Sequence, residues 1–146
     1  MSLRPGETLD DLARNGMKVI QSKNGYRFSM DSVLLAHFAD VKPGDEVLDL
    51  GCGSGVISFL LAGRHPSCRI TGLEIQPELA DRARRGAECN SVAHRIDVIN
   101  GDLRQAERFL GNRRFNLIVA NPPFWRKGEG RPSPDREKLI ARHEVE

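Results

Sequence analysis

Short apolar runs alternate along the chain with stretches whose apolar residues recur at helical spacing. Four runs have the length and composition of buried strands: 46–50, 69–74, 96–100 and 115–120. Three helical stretches follow the first three runs: 56–62, 77–90 and 103–110. This alternation predicts an α/β fold with a doubly wound, mostly parallel sheet and right-handed crossovers. Ligands of such sheets bind beyond the carboxyl ends of the strands, so the loops after each run are the places to search.

The N-terminal residues carry weaker signals. Asn24-Gly25 favours a tight turn, which predicts a hairpin between 17–22 and 26–28. Asp31 is a candidate N-cap for a short helix that ends at Phe38. We therefore expect residues 1–40 to form a hairpin and a helix that pack over the cofactor site, and residues 41–146 to form the core that binds the cofactor.

Composition narrows the class of protein. A chain of 146 residues fits one domain, and its net charge of +2 does not by itself indicate a nucleic-acid partner. No apolar run approaches the length of a membrane span, and the N-terminus has no apolar segment typical of a signal peptide. The three cysteines form no paired motif, and the histidines lack metal-ligand spacing. These features predict a cytoplasmic protein without a disulfide framework, a metal site or a membrane partner.

A glycine-rich loop follows the first strand. Residues 49–55 read DLGCGSG, so that Asp49 precedes three glycines at alternate positions: Gly51, Gly53 and Gly55. Glycine permits positive φ and close approach of a ligand to the backbone, and the next helix directs its N-terminal amides at that ligand. The spacing differs from the dinucleotide GxGxxG pattern. This loop is therefore a candidate cofactor site.

Two further acidic residues lie at the same edge of the predicted sheet, where Glu74 ends the second strand and Asp102 follows the third. Glu74 can accept hydrogen bonds from both hydroxyls of a ribose, which suits NAD and S-adenosylmethionine alike. Asp102 can accept from an adenine amino group or cap the helix that starts at Leu103. Ile75 can pack on an adenine face or belong to the core. With Leu103, these residues complete the candidate cofactor set.

The fourth strand ends in the tetrapeptide Asn121-Pro122-Pro123-Phe124. Proline biases the preceding residue to an extended conformation, so this turn is rigid. The Asn121 amide oxygen and the Pro122 carbonyl can accept the two hydrogens of a planar amino group. Phe124 can stack on a flat substrate. The motif predicts a reaction site that acts by positioning and electrostatics.

Together, the glycine loop, the two acidic residues and the tetrapeptide resemble the class I S-adenosylmethionine-dependent methyltransferases with an (N/D)PP(Y/F/W) motif. Residues 28–36 (FSMDSVLLA) and 140–144 (IARHE) are similar to bacterial tRNA(Val) adenine-N6 methyltransferases. The resemblance implies an N-methyltransferase that uses S-adenosyl-L-methionine and acts on an adenine of tRNA. It also implies that Phe28 and the residues up to Asp31 close over the methionine end of the cofactor, and that Asn121, Pro122 and Phe124 hold the adenine.

Three alternatives remain open at this point. The same fold serves enzymes that methylate an rRNA guanine or a release-factor glutamine, and a nucleotide-binding module without catalysis is the third reading. A basic segment after the motif favours an RNA substrate through Arg126, Lys127 and Arg131. The family's sheet has further strands after the fourth, so we expect this chain to be truncated there. An exposed fourth strand would then favour dimerisation along the sheet edge.

Overall fold

A computed structural model describes residues 2–13, 15–25 and 27–122. Its six strands are β1 (Glu7–Asp11), β2 (Lys18–Ser22), β3 (Glu46–Leu50), β4 (Arg69–Glu74), β5 (Ile96–Asn100) and β6 (Leu117–Ala120). Its helices are α1 (Met30–Phe38), α2 (Val56–Arg64), α3 (Pro77–Cys89) and α4 (Ala106–Leu110), and a 3-10 turn at Leu103–Gln105 precedes α4.

The main sheet has four parallel strands in the order β5-β4-β3-β6. The chain steps outwards from β3 to β4 and β5, and then returns to the other side of β3 as β6. Right-handed crossovers therefore put α2 and α3 on one face and α4 on the other. This topology confirms the predicted doubly wound α/β sheet. The reversal of strand order places a ligand crevice beyond the carboxyl ends of β3 and β6.

The N-terminal hairpin does not form where the sequence predicted it. Strand β2 pairs antiparallel with β1, and Arg27 and Phe28 lie in no strand. The turn contains the other Asn-Gly pair, Asn15-Gly16, in which both residues have positive φ. The prediction was wrong because β1 has the sequence ETLDD, which shows no apolar alternation.

Two boundaries near the site also differ from the prediction. Helix α1 begins at Met30 with Ser29 as its N-cap, so Asp31 lies inside the first turn and is not the cap. Strand β6 begins at Leu117, two residues later than predicted. The apolar pattern locates an element along the chain but does not determine its first residue, so each boundary differs by two positions.

The Phe59 ring of α2 fills the space between two glycines. A Cβ at Gly55, in the glycine loop, would stand 2.7 Å from the ring, and so would a Cβ at Gly86 of α3. Phe59 is fully buried, which stabilises the fold by roughly 1.5–3 kcal/mol. Gly86 costs about 1 kcal/mol relative to alanine in a helix. The close ring contact is the physical reason for a glycine at that position.

Polar contacts attach the hairpin to α3. The carboxylate of Glu7 in β1 accepts two hydrogen bonds from the Arg85 guanidinium, at 2.6 and 2.8 Å, and one from Arg82. The Arg85 hydrogen bonds hold the pKa of Glu7 near 2, against its ordinary value of 4.5. Asn90 accepts from the Lys18 amide and donates to the Lys18 carbonyl. The hairpin is therefore attached to the middle and to the C-terminal end of α3.

Asp49 lies next to the carboxyl end of β3 and has no exposed surface. Its Oδ2 accepts a hydrogen bond from the Ser58 hydroxyl of α2 at 2.7 Å, and its Oδ1 has no hydrogen-bond partner among the described residues. Burial raises the pKa of Asp49 from 3.8 to about 7, the Ser58 hydrogen bond opposes this shift, and the Glu74 charge adds to it. Asp49 is thus a protonated carboxylic acid in the folded protein below neutral pH.

Strand β6 has β3 as its single neighbour among the described residues, and Ile118 is 58% exposed. Pairing of a second copy along this edge stays a prediction.

No described helix has the length and apolar composition needed to cross a membrane.

The burial of Asp49 predicts a specific pH dependence of stability. The folded state retains a proton that the unfolded state loses above its ordinary pKa of 3.8, so this residue's contribution falls as the pH rises from about 4 to 7. We expect Asp49→Asn, which cannot ionise, to raise the melting temperature relative to the wild type more at pH 8 than at pH 5. Thermal unfolding followed by circular dichroism measures this difference.

The control for simple loss of a negative charge is Asp97→Asn, on the exposed side of β5. If the melting temperature of Asp49→Asn minus that of the wild type decreased with rising pH, the raised pKa of Asp49 would be contradicted.

Candidate functional site

A cavity of about 370 Å³ lies beyond the carboxyl ends of β3, β4 and β6. Its walls come from the glycine loop, the residues that follow β4, β5 and β6, and parts of β2 and α1. The candidate residues on its wall are Phe28, Gly51, Gly53, Glu74, Ile75, Asp102, Leu103, Asn121 and Pro122. The topology thus brings together residues that are separated by up to 94 positions in the chain.

Glu74 connects the glycine loop to the start of α3. It is 6% exposed, and its two carboxylate oxygens accept the Gly53 N–H at 2.8 Å and the Gln76 N–H at 2.9 Å. Gly51 and Gly53 have φ values of 68° and 57°, and no atom lies within 4 Å of a Cβ built on either. The backbone at these two glycines therefore borders open space.

Asp102 caps the 3-10 turn that follows β5. Its Oδ1 accepts the Arg104 N–H at 2.8 Å, and both of its oxygens accept from the Arg104 guanidinium. These hydrogen bonds lower the pKa of Asp102. The predicted capping role is confirmed. A second role of Asp102, as an acceptor for an adenine amino group, stays a prediction. Asp102 and the half-exposed Leu103 both lie on the cavity wall, as that role requires.

Asn121 projects from the end of β6 towards α1. Its Nδ2 donates a hydrogen bond to the Ser32 hydroxyl at 3.0 Å. Ser32 is buried, with 6% of its surface exposed, and both residues line the cavity. Asn121 therefore has a fixed partner for its NH2 group.

Phe28 lies on the cavity wall, and polar contacts with the hairpin hold its backbone in place. The Phe28 N–H donates to Gln21 Oε1 at 2.9 Å, and Gln21 Nε2 donates to Asp10 Oδ2 at 2.7 Å. Arg27 forms an ion pair with the same Asp10 carboxylate at 2.6 Å. Gln21 is 2% exposed and itself lines the cavity. The hairpin thus sets the position of Phe28.

Two candidate residues lie behind the cavity wall. Asp49 faces Ser58 in the core, and Gly55 lies against the Phe59 ring. Gly55 has a φ of 97°, so it shapes the entry to α2 through its backbone and its lack of a side chain. Pro123, Phe124, Arg126, Lys127 and Arg131 lie outside the residues that the structure describes.

Ser32 and Gln21 are cavity residues that the sequence analysis did not single out. Ser32 lies within the 28–36 segment, but a single serine among the apolar residues of a short helix has no distinctive pattern. Gln21 belongs to a strand whose partner was assigned to the wrong segment, so its inward orientation was not visible. A correct pairing of β1 with β2 would have placed Gln21 on the face that the hairpin turns towards Phe28.

Sequence comparison finds long matches to bacterial enzymes. The model of the methyltransferase small domain family matches residues 23–141. A tRNA1(Val) (adenine(37)-N6)-methyltransferase of Porphyromonas gingivalis is 40% identical over 124 residues, which are 81% of this chain and 48% of that protein. The Yersinia enterocolitica enzyme of the same name is 36% identical over 109 residues, which are 73% and 43% of the two chains. The chain spans about half the length of these relatives.

A solved structure of similar fold is the RNA methyltransferase from Salinibacter ruber in complex with S-adenosyl-L-homocysteine. It superposes with a TM-score of 0.55 at 28% identity, over 65% of this chain and 59% of that one. This similarity confirms the predicted class I methyltransferase fold. Since the family model also matches more than half of the residues, the chain belongs to the methyltransferase small domain family.

Proposed function

We propose that the protein is an S-adenosylmethionine-dependent N-methyltransferase that methylates the exocyclic N6 of an adenine in tRNA. The proposal rests on one observation: Asn121 and Pro122 line the same cavity as Glu74 and the glycine loop. This arrangement supports a nucleoside-bearing cofactor next to an acceptor for a planar amino group. The relatives named for adenine-N6 methylation of tRNA1(Val) support the choice of substrate.

The chemistry of the cavity fits the proposed cofactor. A carboxylate can accept about four hydrogen bonds, so Glu74 can bind ribose hydroxyls while it also accepts the Gly53 and Gln76 amides. The open space beside Gly51 and Gly53 allows a ligand to approach the backbone closely. We assign the apolar side of the cofactor pocket to Phe28, Ile75 and Leu103, which border the same cavity.

When bound, S-adenosylmethionine supplies an electrophilic methyl group on a positively charged sulfur. Asn121 Oδ1 and the Pro122 carbonyl accept the two hydrogens of the adenine amino group, which draws the nitrogen lone pair out of conjugation with the ring. The lone pair would then be aligned for in-line attack on that methyl group as the methyl–sulfur bond breaks and leaves a neutral thioether. The nitrogen would lose its proton after the new bond has formed, so no strong base is required beforehand. The contribution of the protein is alignment and electrostatics. Stacking by Phe124 and phosphate contacts by Arg126, Lys127 and Arg131 stay predictions.

The proposal is tested by incubating the intact protein with unmodified tRNA and cofactor labelled on the methyl group. We expect label in tRNA, recovered as N6-methyladenosine after digestion to nucleosides. Label found in rRNA or in protein and never in tRNA would refute the proposed substrate. Tight binding of NAD without binding of S-adenosylhomocysteine, measured by calorimetry, would refute the proposed activity.

Asn121→Ala should reduce methyl transfer by about a hundredfold or more, because it removes an acceptor aimed at the reacting nitrogen. Affinity for S-adenosylhomocysteine should change by less than about threefold, since Asn121 acts on the substrate. Single-turnover methylation and calorimetry measure the two quantities. The control is Asn116→Ala just before β6, where Asn116 Oδ1 accepts the Glu46 amide, far from the cavity. Equal losses of transfer and cofactor affinity would show that Asn121 is misassigned.

Glu74→Gln should weaken binding of S-adenosylhomocysteine by about tenfold or more, because one acceptor oxygen is replaced by an NH2 group that opposes a backbone N–H. Calorimetry measures the dissociation constant, and thermal unfolding reports any loss of fold. Glu46→Gln, at the opposite end of the strands, is the matched control. An unchanged dissociation constant in Glu74→Gln would remove Glu74 from the cofactor site.

A further inference from the structure

We propose that Ser32 is a positioning residue for methyl transfer, whose hydroxyl holds the Asn121 side chain so that Oδ1 faces the substrate. The inference rests on the proposed function, because it takes Asn121 Oδ1 as an acceptor for the substrate amino group. It assigns to α1 a part in aligning the reaction, in addition to its place on the cavity wall.

The contact joins α1 to the end of β6. Asn121 Nδ2 and Ser32 Oγ are 3.0 Å apart, although the residues are 89 positions apart in sequence. Ser32 is 6% exposed and Asn121 is half-buried, so water competes little for this hydrogen bond. The bond fixes the NH2 end of the amide, and the Oδ1 end then projects away from Ser32.

An asparagine amide is chemically asymmetric, which makes its orientation decisive. Rotation by 180° exchanges an acceptor oxygen for a donor NH2 group, and the terminal torsion of asparagine is only broadly two-fold. An NH2 group of Asn121 turned towards the substrate would oppose two donors to the substrate amino group. Pro122 restrains the Asn121 backbone but leaves this side-chain torsion unrestrained. The Ser32 hydroxyl provides the missing restraint by accepting from Nδ2.

Helix packing holds Ser32 in place. Ser32 lies in the first turn of α1, its N–H donates to the Ser29 carbonyl at 3.2 Å, and Ala36, one turn later, is buried in the core. Ser32 and Ala36 are therefore on the face of α1 that packs against the protein. A hydroxyl on a docked helix loses little further entropy when it binds the amide, so it is suited to orient a mobile side chain.

The contact also makes Asn121 Oδ1 a better acceptor. Hydrogen bonds in a chain polarise one another, and an amide that donates through its NH2 group carries more negative charge on its oxygen. The same hydrogen bond thus sets the direction of Oδ1 and strengthens the interaction with the substrate.

Ser32→Ala tests the inference in the intact protein with tRNA as substrate. We expect kcat to fall by about three- to tenfold, the net worth of one hydrogen bond. The dissociation constant of S-adenosylhomocysteine should change by less than about twofold, since the hydroxyl acts on Asn121. A loss confined to cofactor affinity would overturn the proposal, because Ser32 would then be a cofactor contact. An unchanged kcat would also overturn it.

Ser67→Ala is the matched control, since the Ser67 hydroxyl also accepts one hydrogen bond, from the Gly44 N–H, at the opposite end of the sheet. The Ser67→Ala variant should leave kcat unchanged.

A second test combines Ser32→Ala with Asn121→Asp. A carboxylate presents an acceptor in either rotation, so Ser32→Ala should cost less than about twofold in the Asn121→Asp background. An equal cost in both backgrounds would show that Ser32 acts independently of Asn121.

A measurement without turnover separates this inference from the proposed function. The side-chain NH2 resonances of Asn121, identified by their loss in Asn121→Asp, should shift in Ser32→Ala and stay in place in Ser67→Ala. If the wild type methylates no RNA, the proposed function fails while these resonances still report the contact. If they do not respond to Ser32→Ala, the positioning role fails whatever the activity.

Discussion

The packing of one aromatic ring against two glycines determines much of this structure. Phe59 fills the space that side chains at Gly55 and Gly86 would occupy, and so sets how closely the glycine loop and α3 approach α2. The loop enters α2 from a positive φ at Gly55, a conformation that a larger residue would reach only with strain. The position of the loop in turn sets where Gly53 meets Glu74. Core packing around Phe59 therefore determines where the glycine loop borders the cavity.

The two halves of the candidate site depend on different parts of the chain. The polar part of the cofactor half, Glu74 and the glycine loop, lies at the ends of consecutive strands, whereas Phe28 comes from the segment between the hairpin and α1. The reaction half needs two further elements: β6, which returns to the far side of β3, and α1, which supplies Ser32. A doubly wound sheet brings these parts together at the reversal of strand order.

The sequence predicted the features that local patterns encode. Apolar runs located all four parallel strands, and the glycine spacing located the loop beside Glu74, because strand burial and turn geometry leave marks within a few residues. The hairpin was misplaced because two Asn-Gly pairs were available and β1 is polar. Asp49 belonged to the predicted loop, yet its side chain lies in the core beside Ser58. Partners that are distant in sequence, such as Ser32 and Asn121, leave no such pattern in a single chain.

The length of chain between Ser32 and Asn121 has a consequence for how the site is assembled. Loop-closure entropy opposes contacts between residues so far apart in sequence, so this hydrogen bond depends on the packing that brings α1 and β6 together. Detachment of α1 would leave the Asn121 amide without this hydrogen-bond partner. Alignment of the Asn121 amide for chemistry therefore depends on the docking of α1, and a local opening of that helix would remove it without breaking the pairing of the sheet strands.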